Sequence, residues 1–285
     1  MRIVGEGNSG DRARGKRALS AAVESGYTLF DHADIYGAGH SEELFGEFLR
    51  ESPSIRDQLA IATKCGVRFA GDDGGESPAR YDCRHDYILQ CVEGSLRRLG
   101  VEQVELLLLH RPDYLMRAEE IAVAFDELYS SGKVANFGVS NFSVRQVDLL
   151  RSRVTVPLIV NQIEINIHNI NALLDGTLDQ CQQLGITPQA WCPIAGVAYP
   201  AWGNTFAADD DNRIRAELER QMHRYDVQDW QIALAWLLKH PAGISPIVGS
   251  TTPSRIAAAT DSLDVEYSRE DWYRLLEARN GRSVP

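Results

Sequence analysis

Long apolar runs are missing from this chain. Runs such as residues 106–109 fall far short of the ~18 residues that a membrane span needs, and the N-terminus carries no signal-peptide apolar region. A cytoplasmic protein with no membrane partner is expected. Positive charge is scarce as well: 29 Lys+Arg stand against 40 Asp+Glu, a formal net charge of −11. A nucleic-acid binder needs a basic face to neutralise phosphates, and the densest basic stretch, residues 12–17, reads as a solvated helix start, so no nucleic-acid partner is expected. Five cysteines (Cys65, Cys83, Cys91, Cys181, Cys192) form no CxxC pair and are odd in number, which suits reduced thiols rather than a disulfide frame or a metal site. No Pro- or Ser-rich linker, low-complexity tract or sequence repeat interrupts the 285 residues. Because α/β barrels use ~250 residues on one core, a single domain over residues 1–285 is expected.

What is present is alternation. Seven short apolar or β-branched runs, at residues 27–31, 59–64, 104–109, 134–139, 158–163, 187–191 and 245–248, read as strands. Amphipathic stretches at 16–24, 42–50, 86–99, 118–131, 144–151, 171–184, 229–239 and 255–261 read as helices, with a last helix at 270–278. Repeated βα units of this kind build a parallel sheet. With residues 1–4 as a stub, the count reaches the eight strands of a (β/α)8 TIM barrel whose first strand is truncated. Connections after the second and sixth strands are long, at residues 65–85 and from 192 to about 208, whereas helix-to-strand connections are tight. Function therefore belongs at the carboxyl ends of the strands. Gly132, between a helix and the next strand, is expected to cap that helix with a positive φ.

Three ionisable residues close consecutive strands: Asp31, Lys64 and His110. One polar residue at a strand end is commonplace; three in succession converge on one mouth in a barrel. Tyr36, on the loop just past Asp31, can reach the same point. A phenol ordinarily titrates near pH 10, but a neighbouring ammonium favours its anion, and a carboxylate paired to that ammonium holds it in place. Together with an imidazole, these groups make a proton donor for a carbonyl oxygen.

The residues around them resemble a known family. Gly26-Tyr27-Thr28-Leu29-Phe30-Asp31-His32-Ala33-Asp34-Ile35-Tyr36-Gly37, Thr63-Lys64-Cys65-Gly66 and Leu109-His110-Arg111-Pro112-Asp113 are similar to the aldo-keto reductase pattern. Gly138-Val139-Ser140-Asn141-Phe142, Asn161-Gln162-Ile163-Glu164, Ala190-Trp191-Cys192-Pro193 and Pro246-Ile247-Val248-Gly249-Ser250 continue it in order. His32 after the motif Asp makes the chain most similar to the bacterial YdhF-like branch. The resemblance implies an NAD(P)H-dependent oxidoreductase that reduces an aldehyde or ketone to an alcohol. It implies Tyr36 as general acid, Asp31 and Lys64 as its tuning pair, and His110 as the group orienting the substrate carbonyl. Ser140, Asn141 and Gln162 would hold the nicotinamide carboxamide. The ring would stack on Trp191, where the family commonly has Tyr, and Cys192 would lie beside the cofactor phosphates. Ser250 and Arg255 match contacts to a 2′-phosphate, while a family Lys becomes Gly249 and a family Asn becomes Ala259. NADP is the expected cofactor, with NAD as the alternative; a small-molecule carbonyl compound is the expected partner, and no obligate protein partner is evident.

Other features have plainer readings. His32 and His168 read as structural, Trp230 and Trp236 as core, and Trp202 as a substrate wall. Gly5-Glu6-Gly7-Asn8-Ser9-Gly10 matches the dinucleotide fingerprint GxGxxG, yet only four residues precede it, too few for a central strand, so it reads as a flexible loop. A second function class stays open beside the reductase: a weakly active or non-catalytic nucleotide-sensing interaction protein on the same barrel, as the potassium-channel β-subunits of the family illustrate.

Overall fold

The structure is a computed structural model that describes residues 3–4, 9–199 and 208–285. Residues 1–2 of the expected first strand, most of the glycine motif (5–8) and Trp202 lie outside the described residues. The chain divides into two compact units, the first spanning Met1–Gln162 and Gly249–Pro253, the second Ile163–Val248 and Ser254–Pro285.

The first unit runs α1 (Ser9–Glu24), β1 (Leu29–Asp31), α2 (His40–Glu51), β2 (Ala60–Cys65), β3 (Val67–Arg68), β4 (Arg80–Tyr81), α3 (His85–Leu99), β5 (Leu106–Leu109), α4 (Ala118–Ser130), β6 (Phe137–Ser140) and α5 (Val144–Arg151). It ends in β7 (Leu158–Glu164), whose last two residues open the second unit. Its strands lie in the order β1-β2-β5-β6-β7, every pair parallel. Ala62, Leu106, Leu108 and Val160 pack between them as a buried cluster. Helices cover this sheet because their apolar residues recur at helical spacing: in α3, Ile88, Val92, Leu96 and Leu99 are buried, and Gly100 ends the helix at φ 68°. Gly132 likewise has φ 71°, as its position predicts. Gly138 in β6 answers a different need, since a Cβ there would lie 2.6 Å from Leu108 Cδ2 and 2.7 Å from the Val160 carbonyl oxygen.

The second unit continues with α6 (Asn171–Leu174), α7 (Thr177–Leu184), β8 (Thr187–Trp191), α8 (Ala208–Tyr225), α9 (Asp229–Leu238), β9 (Ser245–Pro246), α10 (Pro253–Thr260) and α11 (Arg269–Asn280). β8 and β9 pair in parallel. Trp236 is core, as expected: its ring stacks on Trp272 at 5.0 Å between centroids, and each indole N–H donates to the other residue's backbone carbonyl.

The structure differs from the sequence reading at four places, the first two for clear local reasons. The helix expected over 171–184 breaks into α6 and α7 at Gly176, which has φ 86°. α8 was not expected, because its buried stripe is thin: Ile214, Leu218 and Gln221 stand on a helix that otherwise carries mostly charge. Ile3 and Val4 form a turn rather than a strand among the described residues, although both are buried. The long connection after β2 also contains the small antiparallel β3–β4 pair.

Candidate active site

β1 ends on Asp31, β2 carries Lys64 as its penultimate residue, and His110 stands one residue beyond β5, its N–H donating to the Cys65 carbonyl at 2.8 Å. Tyr36 sits in the turn between β1 and α2, with its N–H on the Ala33 carbonyl at 3.0 Å and its own carbonyl accepting from Ser41 N at 3.3 Å. All four residues belong to the first unit, and the structure brings them together.

Lys64 is the centre. Its Nζ donates to Asp31 Oδ2 at 2.6 Å, to the His32 carbonyl at 2.8 Å and to the Tyr36 hydroxyl oxygen at 3.3 Å. An ammonium has three hydrogens, so these partners account for all of them and hold the charge in one place. The Tyr36 and His110 rings meet edge to face, 5.8 Å between centroids. Lys64 is wholly buried and Asp31 is 5% exposed, a setting in which neither charge survives alone. Burial pushes the Lys64 pKa down, but the negative charge of Asp31 and the contact with Tyr36 outweigh it and leave it raised. For Asp31, burial pushes up, and the Lys64 ammonium with the hydrogen bonds outweighs it, so its carboxyl is held below the usual range. The buried His32 imidazole, against the Phe45 ring, is driven well below its ordinary pKa by desolvation, with the Lys64 charge adding to the shift, and stays neutral.

Next to this set lie the three residues expected to hold a carboxamide. Ser140 Oγ donates to the Gln162 carbonyl at 2.9 Å, and Asn141 N donates to the same oxygen at 2.9 Å. The Asn141 amide reaches Ser140 Oγ at 2.8 Å and the His110 carbonyl at 3.4 Å, with Asn141 itself in the left-handed region at φ 61°. Gln162 Nε2 donates to Asp31 Oδ1 at 2.9 Å. Neutral amides and a hydroxyl, nearly all buried, fit a nicotinamide carboxamide, whose NH2 and C=O need one acceptor and one donor.

The remaining expected cofactor residues divide between the units. Ser250, in the first, accepts from Thr252 N at 3.1 Å, and Gly249 has open space where a Cβ would stand. Trp191, Cys192 and Arg255 belong to the second. Trp191 closes β8; Cys192 follows at φ 51°, and its carbonyl accepts from Asn166 Nδ2 at 3.2 Å. Arg255 is exposed on α10 and forms no ion pair among the described residues. Among the described residues no group of three or more His, Cys, Asp or Glu side chains could hold a metal ion.

Sequence reasoning missed the second layer. Thr63, beside Lys64, donates to the buried Glu42 at 2.5 Å, and Arg98 Nε donates to the other Glu42 oxygen at 2.7 Å, tying β2 to α2 and α3. Asp34, in the Tyr36 turn, has a buried carboxyl oxygen without a partner, and burial pushes its pKa to about 7. No sequence signal marks either carboxyl, since both look like surface acids at their positions.

Comparison with known proteins shows the family. The family model described as "Aldo/keto reductase family" matches residues 1–280. The chain is 38% identical to "Oxidoreductase YdhF" of Escherichia coli (strain K12), covering 92% of this chain and 86% of that protein. It is 37% identical to "6-dehydroglucose reductase" of Agrobacterium fabrum, covering 99% and 93%. The solved structure of the glycerol dehydrogenase AKR11B4 from Gluconobacter oxydans superposes with a TM-score of 0.82 at 26% identity, over 98% of this chain and 89% of that one.

Proposed function

Because this chain belongs to the Aldo/keto reductase family, we propose that it uses NAD(P)H to reduce an aldehyde or ketone and that Tyr36 supplies the proton to the carbonyl oxygen. One observation carries the reading: a buried ammonium, Lys64, is held by Asp31 on one side and by the Tyr36 hydroxyl on the other. As the carbonyl oxygen gains negative charge it draws the Tyr36 proton, and the ammonium beside the hydroxyl stabilises the phenolate left behind. His110, edge-on to Tyr36, holds the carbonyl in line with that hydroxyl. The nicotinamide cofactor supplies the hydride when bound. Ser140, Asn141 and Gln162 are its carboxamide ligands in this reading, and Trp191 offers an aromatic face for the ring. Cys192 would lie beside the cofactor phosphates, and Ser250 and Arg255 would each bind the 2′-phosphate of NADP.

The substrate class is a small carbonyl compound. The name of the Agrobacterium relative makes oxidised sugars the first compounds to try. Consumption of NADPH with a panel of aldehydes, ketones and oxidised sugars, with NADH run in parallel, tests the activity. Tyr36→Phe is expected to lower kcat by at least ~100-fold while cofactor affinity barely moves, as loss of a general acid requires. Equal turnover in the two proteins removes Tyr36 from the mechanism, and no turnover with any carbonyl favours the nucleotide-sensing reading.

A further inference from the structure

Gln162 touches both halves of the site at once, and the partner on its catalytic side is a carboxylate. We propose that Asp31, besides pairing with Lys64, fixes the amide orientation of Gln162 and thereby makes that side chain a hydrogen-bond acceptor toward the cofactor. The inference rests on the cofactor reading given above.

An ionised carboxylate only accepts hydrogen bonds. Asp31 Oδ2 takes the Lys64 ammonium, and Oδ1 is left facing Gln162. The Gln162 amide must therefore turn its NH2 end to Asp31, and because the amide is planar its oxygen turns away. The Gln162 backbone is held in place, since its carbonyl accepts from both Ser140 Oγ and Asn141 N, and the residue is 2% exposed. Asn141 next to it presents an NH2 group, already on Ser140 Oγ and the His110 carbonyl. An acceptor from Gln162 is the complement of a carboxamide's NH2. The catalytic acid assembly thus sets the polarity of the cofactor site.

Asp31→Asn reverses this polarity. Lys64 only donates, so the substituted side chain has to turn its oxygen to Lys64 and its NH2 to Gln162. Gln162 then flips to accept, and its own NH2 faces the cofactor. The probes are NADPH and its 3-acetylpyridine analogue, which keeps the ring carbonyl and lacks the N–H donors. Dissociation constants are read without substrate, from quenching of tryptophan fluorescence, and melting temperature checks that each variant is folded. Wild type is expected to bind NADPH about ten-fold tighter than the analogue, roughly the worth of one hydrogen bond. Asp31→Asn narrows the ratio to within about two-fold, and in a Gln162→Met background Asp31→Asn leaves the ratio unmoved, as coupled neighbours require. A ratio in Asp31→Asn equal to that of wild type overturns the proposal. Gln162→Glu is an independent check that leaves Asp31 in place: two carboxyls at this distance share a proton, so NADPH affinity acquires a dependence on pH between about 6 and 9 that wild type lacks. Its absence overturns the proposal as well. The cofactor reading itself fails by a different sign, if Gln162→Met leaves the dissociation constant of NADPH where it is in wild type.

Discussion

Asp34 shows how much one buried oxygen can weigh. Burial raises its folded-state pKa from 3.8 to about 7, so the folded protein keeps the proton over a range in which the unfolded chain has lost it. Stability from this group is fully present below the unfolded pKa and is lost as pH rises toward 7, a decline of a few kcal/mol. Asp34→Asn carries no such proton, so urea unfolding at pH 5 and pH 7.5 is expected to show the variant gaining on wild type at the higher pH; an equal difference at both removes Asp34 as the cause. Arg255, proposed to take the 2′-phosphate, is exposed without an ion pair among the described residues, which leaves its guanidinium available to a phosphate. Arg255→Ala should weaken NADPH binding about ten-fold and leave NADH nearly unchanged, the loss of one charge-assisted bond. Gly249→Lys should do the reverse, because a Cβ at 249 meets nothing within 4 Å and the added ammonium restores the cation that the family pattern has there. Titration of each variant with both cofactors decides; equal weakening of both by Arg255→Ala means that it does not read the phosphate.

Among the elements, α8 and α11 depend on a single carboxylate. Asp271, wholly buried in the first turn of α11, accepts from Arg220 and Tyr225 of α8 and from Arg274 of its own helix, and Arg224 lies at 3.2 Å. Burial alone pushes its pKa up, but these donors and charges hold it far below the ordinary range. Its contribution is therefore present above the unfolded carboxylate pKa and is lost as pH falls below it. Asp271→Asn keeps the shape and removes the charge, and is expected to destabilise by on the order of 2 kcal/mol near pH 7, because the arginines are half exposed and recover water. The difference from wild type should shrink in acid; a melting-temperature difference that is the same at pH 2 and pH 7 would show that charge is not the cause. Periodicity alone did not reveal α8, yet its partner α11 was legible, and the reason is that α8 is fastened by polar contacts that leave no apolar rhythm.

For the molecule as a whole, we propose a single cooperative domain. The chain passes between the two units inside β7, at Gln162–Ile163, and again around residues 249–253, so neither unit is a continuous length of chain. Calorimetry is expected to show one transition, with calorimetric and van't Hoff enthalpies equal; two resolved transitions would mean that the units fold separately. Much of this protein was determined by sequence alone. Apolar runs alternating with amphipathic stretches are local patterns, so the βα order, the strand ends bearing Asp31, Lys64 and His110, and the turn bearing Tyr36 could be read in order. Local pattern carries no distance between residues far apart in the chain. Only the tertiary structure decided that Gln162 and Asp31, 131 positions apart, share a hydrogen bond, that Glu42 locks behind Thr63, and that Asp34 loses its water. Each of these depends on which groups the packed strands and helices exclude from solvent, and desolvation is a property of the folded whole.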